Sequence, residues 1–188
     1  MEYNFRFLGN YDINKLCEKT KNMKVIDWDE FNYRQSKYKA HFKTKYIPII
    51  YNKDLDSLLP IKTKWFNLFE EEIIQLTKKM EVFYNKGYIV RCLLTKLLSQ
   101  EVIPLHTDYR WKSLYLTSRI HLPIITADNV EFICGGEKKS LKKGELWEIN
   151  NNKKEHGVIN NSNFDRVHLV FDYFSFSKEF SLNIKKNL

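Results

Sequence analysis

Residues 88–108 read YIVRCLLTKLLSQEVIPLHTD. The stretch holds two short runs rich in β-branched and apolar residues, Tyr88–Leu97 and Val102–His106, and it ends on a His-x-Asp unit, His106-Thr107-Asp108. Further runs of the same kind follow at Ser118–Ile125, Val130–Cys134, Leu146–Ile149 and Val167–Phe174, separated by Asp-Asn, Gly-Gly, Lys-Gly and Asn-rich turns. Short strands with turn signals about every ten residues predict an all-β sandwich or barrel, and a cupin-like jelly roll is the expected version.

Upstream the period changes. Phe66, Phe69, Ile73, Leu76, Met80 and Phe83 recur at steps of three and four, which places them on one face of a helix over about residues 67–86. Asn67 with Glu70 fits a start signal, Glu70, Glu71 and Glu72 suit the positive helix end, and Gly87 is the expected stop. A shorter helix is expected over about residues 13–21. The fold class is thus mainly β with some α. The expected organisation is one domain over residues 1–188: a mixed N-terminal part, 1–86, packed on one sheet of a β core, 87–174.

Composition narrows the function classes. A chain of 188 residues is the size of one domain and buries roughly 70% of its unfolded surface. Hydrophobic residues make up 43% and aromatics 15%, against only 6 Gly and 4 Pro, which argues for a dense core and against disorder. No apolar run approaches the roughly 20 residues that span a bilayer, so no membrane partner is expected. The N-terminus has no basic stretch followed by an apolar core, so no signal peptide is expected. Cys17, Cys92 and Cys134 are odd in number and lack CxxC spacing, which favours a reducing cytoplasm. The net charge of +8 admits nucleic acid, but the lysines are scattered along the chain, so that partner is the weaker reading.

His106 and Asp108 are the residues with chemistry. They sit at the end of an apolar strand, and residues two apart on a strand point the same way. His156 follows 50 residues on (156 − 106) in a polar segment, Asn150 to Gly157. Two neutral imidazoles and one carboxylate occupy one face of an octahedral iron(II), leaving positions for a bidentate co-substrate and O2. The third ligand has to come from a neighbouring strand. Arg166 follows His156 by ten residues (166 − 156) at the start of the last strand. There it can carry a guanidinium to the floor of the barrel and pair bidentately with a dicarboxylate. Arg119 and His121 alternate in the same way, as a positive pair for the other end of that acid. Thr95 can offer it a hydroxyl.

His-x-Asp, Arg-x-His, GELWEIN (Gly144–Asn150), a distal His and an Arg ten residues later together resemble the aspartyl/asparaginyl β-hydroxylase family of iron(II)- and 2-oxoglutarate-dependent oxygenases, which includes free-proline hydroxylases. The resemblance covers about residues 87–173. It implies a double-stranded β-helix, iron on His106, Asp108 and His156, and the distal carboxylate of 2-oxoglutarate on Arg166 beside Thr95. It places Arg119 and His121 near the co-substrate's other carboxylate. The carboxylate at position 108 argues against halogenation. The implied reaction is O2-dependent hydroxylation of a C–H bond of an amino acid, free or within a peptide, giving succinate and CO2. The membrane anchor and helical repeats of the animal relatives and the C-terminal helical region of the proline hydroxylases have no counterpart here, so the resemblance leaves the substrate open.

Two other readings stand beside this one. The same ligands can hold zinc in a hydrolase on a cupin-like barrel. A basic β-barrel without catalysis can bind nucleic acid or an acidic partner. Arg166 and Arg119 weigh against the first, and the intact ligand set weighs against the second. Oligomeric state is not legible in the sequence.

Overall fold

The computed structural model describes residues 3–52, 54, 56–108 and 112–177, with Lys112 described in its backbone alone. Among these residues the chain runs β1 (Phe5–Asn10), α1 (Asn14–Lys21), α2 (Val25–Asp29), α3 (Tyr33–Lys37), a 3-10 turn (Lys39–His41), β2 (Thr44–Asn52), β3 (Pro60–Lys62) and α4 (Phe66–Tyr84). It continues β4 (Gly87–Leu97), β5 (Val102–His106), α5 (Lys112–Leu116), β6 (Thr117–Ile125), β7 (Val130–Cys134), β8 (Glu137–Lys139), β9 (Glu145–Ile149), β10 (His156–Asn160) and β11 (Arg166–Ser175). The strands form a seven-stranded sheet, β1-β9-β6-β11-β4-β2-β3, and a four-stranded sheet, β5-β10-β7-β8. Neighbours pair antiparallel throughout. The two sheets make the cupin-like jelly roll that the turn spacing predicts.

Strand alternation divides the work of the large sheet. In β11, Val167, Leu169, Phe171 and Tyr173 enter the main core, while Arg166, His168, Val170 and Asp172 take the other face. In β6, Ile120, Leu122 and Ile124 join the core, and Arg119 and His121 face away from it. The core face lies under α4, whose Phe66, Phe69, Ile73, Leu76 and Met80 are buried. Lys19 of α1 ties down the buried Glu72 of α4 at 2.6 and 2.7 Å. The opposite face looks across a cleft at the four-stranded sheet. Leu169, fully buried in the central strand, carries much of this packing. Leu169→Ala is expected to lower the unfolding free energy by about 3 kcal/mol, read by urea denaturation.

Several local expectations are corrected. Helix α4 spans Phe66–Tyr84, and the Asn67–Glu70 start signal is not used. The Thr63 hydroxyl instead accepts the Trp65 N–H at 3.1 Å and donates to the Pro48 carbonyl at 2.6 Å. The stop is Asn85, in the left-handed region at φ 65°, and Gly87 already belongs to β4. The N-terminal part packs on the large sheet through α1 and α4, and it also supplies that sheet with β1, β2 and β3. The Gly135-Gly136 turn is as read: both residues have positive φ, 57° and 82°, and close the two-residue hairpin between β7 and β8. No helix among the described residues is long and apolar enough to cross a membrane.

Candidate metal centre

β5 and β10 build the centre. They pair antiparallel with His106 opposite His156, and the imidazole centroids lie 4.3 Å apart. His156 is therefore the first residue of a strand that neighbours β5, as expected of the third ligand, and it closes the polar segment that precedes it. The chain leaves β5 at His106 and brings Asp108 back beside both rings. Asp108 Oδ1 is 3.8 Å from His106 Nε2, and Oδ2 is 3.9 Å from His156 Nε2. One ligand atom from each residue lies within 4.8 Å of the others. The Asp108 N–H donates to the Asn151 carbonyl at 3.2 Å, and the Asn151 amide donates to Asp108 Oδ2 at 2.9 Å.

Tautomers follow from the backbone. His106 Nδ1 faces the Pro104 carbonyl at 2.8 Å and His156 Nδ1 faces the Lys154 carbonyl at 3.4 Å. A carbonyl only accepts, so each Nδ1 carries the proton and each Nε2 turns a lone pair to the centre. Burial pushes His156 down to about 4, which keeps it neutral at ordinary pH. Burial works to raise the Asp108 carboxyl, but the Arg119 guanidinium, helped by the Asn151 amide, outweighs it and holds that group well below the usual carboxylate range. Two imidazole nitrogens and an ionised carboxylate converging on one point suit a divalent transition metal.

The β10–β5 contact is close because residue 157 is glycine. A Cβ there would lie 2.7 Å from the Ile103 carbonyl oxygen and 3.2 Å from the Leu105 nitrogen. Gly157→Ala is expected to push β5 off β10 and separate His106 from His156. The check is iron(II) affinity against thermal stability: affinity falls roughly tenfold or more, the scale of disturbing a ligand's support.

The cleft beside the triad holds about 700 Å³ of empty space, counting its open mouth. Arg166 lies in it, 2% exposed, with no carboxylate within salt-bridge distance among the described residues. Its Nη2 donates to His168 Nδ1 at 2.6 Å, and its Nε has no partner. Burial pushes this guanidinium down to about 9. Arg166 bridges neither Asp165, which pairs with Lys96, nor Asp172. His121 lines the same cleft with an unpartnered Nδ1, and burial holds it neutral. Thr95 is there too, its hydroxyl donating to the His168 carbonyl at 3.2 Å. A buried cation beside polar atoms that lack partners suits a bound anion, which a dicarboxylate would supply.

Arg119 is placed differently from a free anion anchor. Its Nε donates to Asp172 Oδ1 at 2.8 Å, and Nη1 bonds Asp108 Oδ2. Asp172 also accepts from Arg91 Nε at 2.8 Å. The order Arg91–Asp172–Arg119–Asp108 thus runs across β4, β11 and β6 to the triad. Sequence reading did not reach Arg91 or this use of Asp172, although Asp172, even-numbered like Arg166 and His168, shares their face. His41 belongs to no motif in the sequence. The ring stands 5.5 Å from that of His106, edge to face, and lines the cleft.

A two-sheet jelly roll with a His-Asp-His set at one end and a buried arginine within makes a candidate metal site on a cupin-like barrel. The model of the aspartyl/asparaginyl β-hydroxylase family matches residues 12–175, and the chain belongs to that family. No curated protein matches the sequence. Among solved structures, the chain is similar to an oxidoreductase of the 2OG-Fe(II) oxygenase family from Burkholderia pseudomallei, with TM-score 0.56 and 16% identity over 70% of this chain and 66% of that one. The chain thus spans about two thirds of that protein's length. It is also similar to a Pseudomonas putida prolyl-4-hydroxylase, TM-score 0.53, 9% identity, covering 92% and 93% of the two chains. A viral collagen prolyl hydroxylase from Paramecium Bursaria Chlorella virus-1 gives TM-score 0.55 and 7% identity over 92% and 96%. At these identities the likeness is one of fold.

Proposed function

We propose that this protein is an iron(II)- and 2-oxoglutarate-dependent dioxygenase that hydroxylates a C–H bond of an amino acid, free or as a residue in a peptide. The observation that carries the proposal is the guanidinium of Arg166, with an unpartnered Nε and no carboxylate within salt-bridge distance among the described residues, buried in the same cleft as three converging ligand atoms. His106, Asp108 and His156 hold the metal. Arg166, with Thr95 beside it, takes the distal carboxylate of 2-oxoglutarate, and His121 offers its unpartnered nitrogen nearby. Arg119 holds Asp108 ionised and oriented from within the cleft. When bound, iron(II) with 2-oxoglutarate and O2 supplies the oxidising power that inserts oxygen into an unactivated C–H bond, with succinate and CO2 as coproducts. The protein's part is to position the reactants and to keep water from the buried floor.

The test is anaerobic titration of the iron(II)-loaded protein with 2-oxoglutarate. A keto acid chelating iron(II) gives a weak visible charge-transfer band, and that band is the expected result. An iron-loaded protein without the band overturns the co-substrate assignment. Metal analysis showing zinc held in its place would move the hydrolase reading to the front.

A further inference from the structure

Arg119 is an unexpected neighbour for a metal. Its guanidinium bonds Oδ2 of Asp108, the carboxylate of the triad. A fixed positive charge in contact with a ligand repels a divalent cation and competes with it for the same carboxylate. Arg91 lines the cleft as well, and so does Arg34, whose Nη2 is bonded to His41 Nε2 at 2.9 Å. Three guanidinium groups thus border the place that a metal ion has to enter.

One row of side chains across the large sheet offsets the charge of Arg119. In the ladders of β11, Asp172 stands opposite Arg91 of β4 and opposite Arg119 of β6. Residues directly opposite in a ladder are close enough for their side chains to meet, and the backbone hydrogen bonds keep them there. Arg91 reaches Asp172 Oδ2 through Nε at 2.8 Å and Nη2 at 2.6 Å. Arg119 donates from Nε to Oδ1 at 2.8 Å and from Nη2 to Oδ2 at 3.2 Å. That two-point pairing fixes the plane of the Arg119 guanidinium and leaves Nη1 to bond Asp108. Asp172 is 3% exposed, so water and salt screen its charge little. Charges alternate along the row Arg91, Asp172, Arg119, Asp108, and Arg119 meets a carboxylate on each side.

We propose that Asp172 is a positioning residue of the metal centre, the counter-ion that lets Arg119 orient Asp108 without driving a divalent cation away. Arg119 and the Asn151 amide both donate to Asp108 Oδ2, and two donors on one oxygen fix the rotation of that carboxylate. Asp172 fixes Arg119 in turn and offsets its charge, so it acts through Arg119 and not by contact with the metal. The inference rests on the reading of the triad as a divalent-metal site and adds to it a residue outside the ligand set.

The experiment measures iron(II) affinity of the full-length protein by anaerobic titration, with circular dichroism to establish that each variant is folded. Asp172→Asn keeps the shape of the side chain and removes its charge. Alone, it leaves two guanidinium groups short of an anion, which threatens folding. It is therefore made in an Arg91→Met background, where Arg119 and Asp108 remain as a pair. There Asp172→Asn is expected to weaken iron(II) binding roughly 10- to 100-fold relative to Arg91→Met, the scale of losing a partner that supports a ligand. In an Arg119→Met background the same substitution is expected to change the affinity by no more than about twofold, the scatter of uncoupled sites, because its route to the metal is gone. A merely structural Asp172 would lower the melting temperature without that dependence on Arg119. A folded Arg91→Met, Asp172→Asn protein with the iron affinity of Arg91→Met overturns the proposal, and so does an equal loss with and without Arg119. A wild type that binds no divalent metal overturns the reading of the triad itself, a separate outcome.

Discussion

His156→Ala is expected to lose iron(II) binding and 2-oxoglutarate turnover together while the fold survives. The substitution removes one of three converging donors, leaving a lone imidazole and a carboxylate that Arg119 already holds. Partners that merely support a ligand are worth about 10–100-fold in metal affinity, so loss of the ligand itself is expected to exceed about 100-fold. The backbone of β10 keeps its pairing with β5 and β7, because the ladder uses main-chain groups alone. Thermal stability separates the two effects. In the wild type, iron(II) at about 100 times its dissociation constant adds about 2.7 kcal/mol to the folded state. In His156→Ala the same iron adds almost nothing, and the metal-free proteins melt close together. Iron stabilising the variant as strongly as the wild type would remove His156 from the ligand set.

Arg166→Met is the second large effect. It should raise the KM for 2-oxoglutarate roughly 10²- to 10³-fold, the scale of truncating one partner of a buried charge pair. Its effect on stability runs the other way. Arg166 is buried without a carboxylate, so the folded protein bears a desolvation cost that an apolar side chain of similar length avoids. The ligand-free variant is therefore expected to melt no lower than the wild type. The sign agrees with the titration of the group. Its folded value, about 9, lies below its ordinary one, so the penalty is constant below pH 9 and is relieved as pH rises above it. 2-Oxoglutarate should raise the melting temperature of the wild type and leave that of Arg166→Met unmoved. A variant that keeps wild-type KM would show that the co-substrate's distal carboxylate lies elsewhere.

These two variants bear on residues legible in the sequence, and the contrast with the residues that were not is instructive. Val102–His106 and Val130–Cys134 were bounded to the residue by their apolar runs and turns. β2 was not read as a strand, because Pro48 stands in its middle and proline removes a ladder donor. The chain accommodates it where the register with β4 shifts between Pro48 and Ile50. β10 was given no bounds, because His156 follows a run of Asn and Lys. It is a strand because β5 and β7 flank it and hydrogen-bond it from both sides. Arg34 and His41 carry no pattern of their own. They lie in short helical segments that come to the mouth of the cleft only when the chain has folded back over β5.

The sequence by itself determined the class of fold, the helix that covers it, and the spacing of His106, Asp108, His156 and Arg166. Period-two and period-three-to-four patterns, and the ten-residue step from ligand to arginine, are properties of the chain read in order. Only the tertiary structure decided which side chains meet. It set His106 opposite His156, gave Arg119 to Asp108 and Asp172, and left Arg166 with no carboxylate in salt-bridge distance among the described residues. Such pairings depend on which strands lie side by side, and strand neighbours here are separated by up to 144 residues along the chain (149 − 5), as in β1 against β9, where Phe5 faces Ile149. Nothing local encodes a contact of that range; it follows from closing two sheets over one cleft.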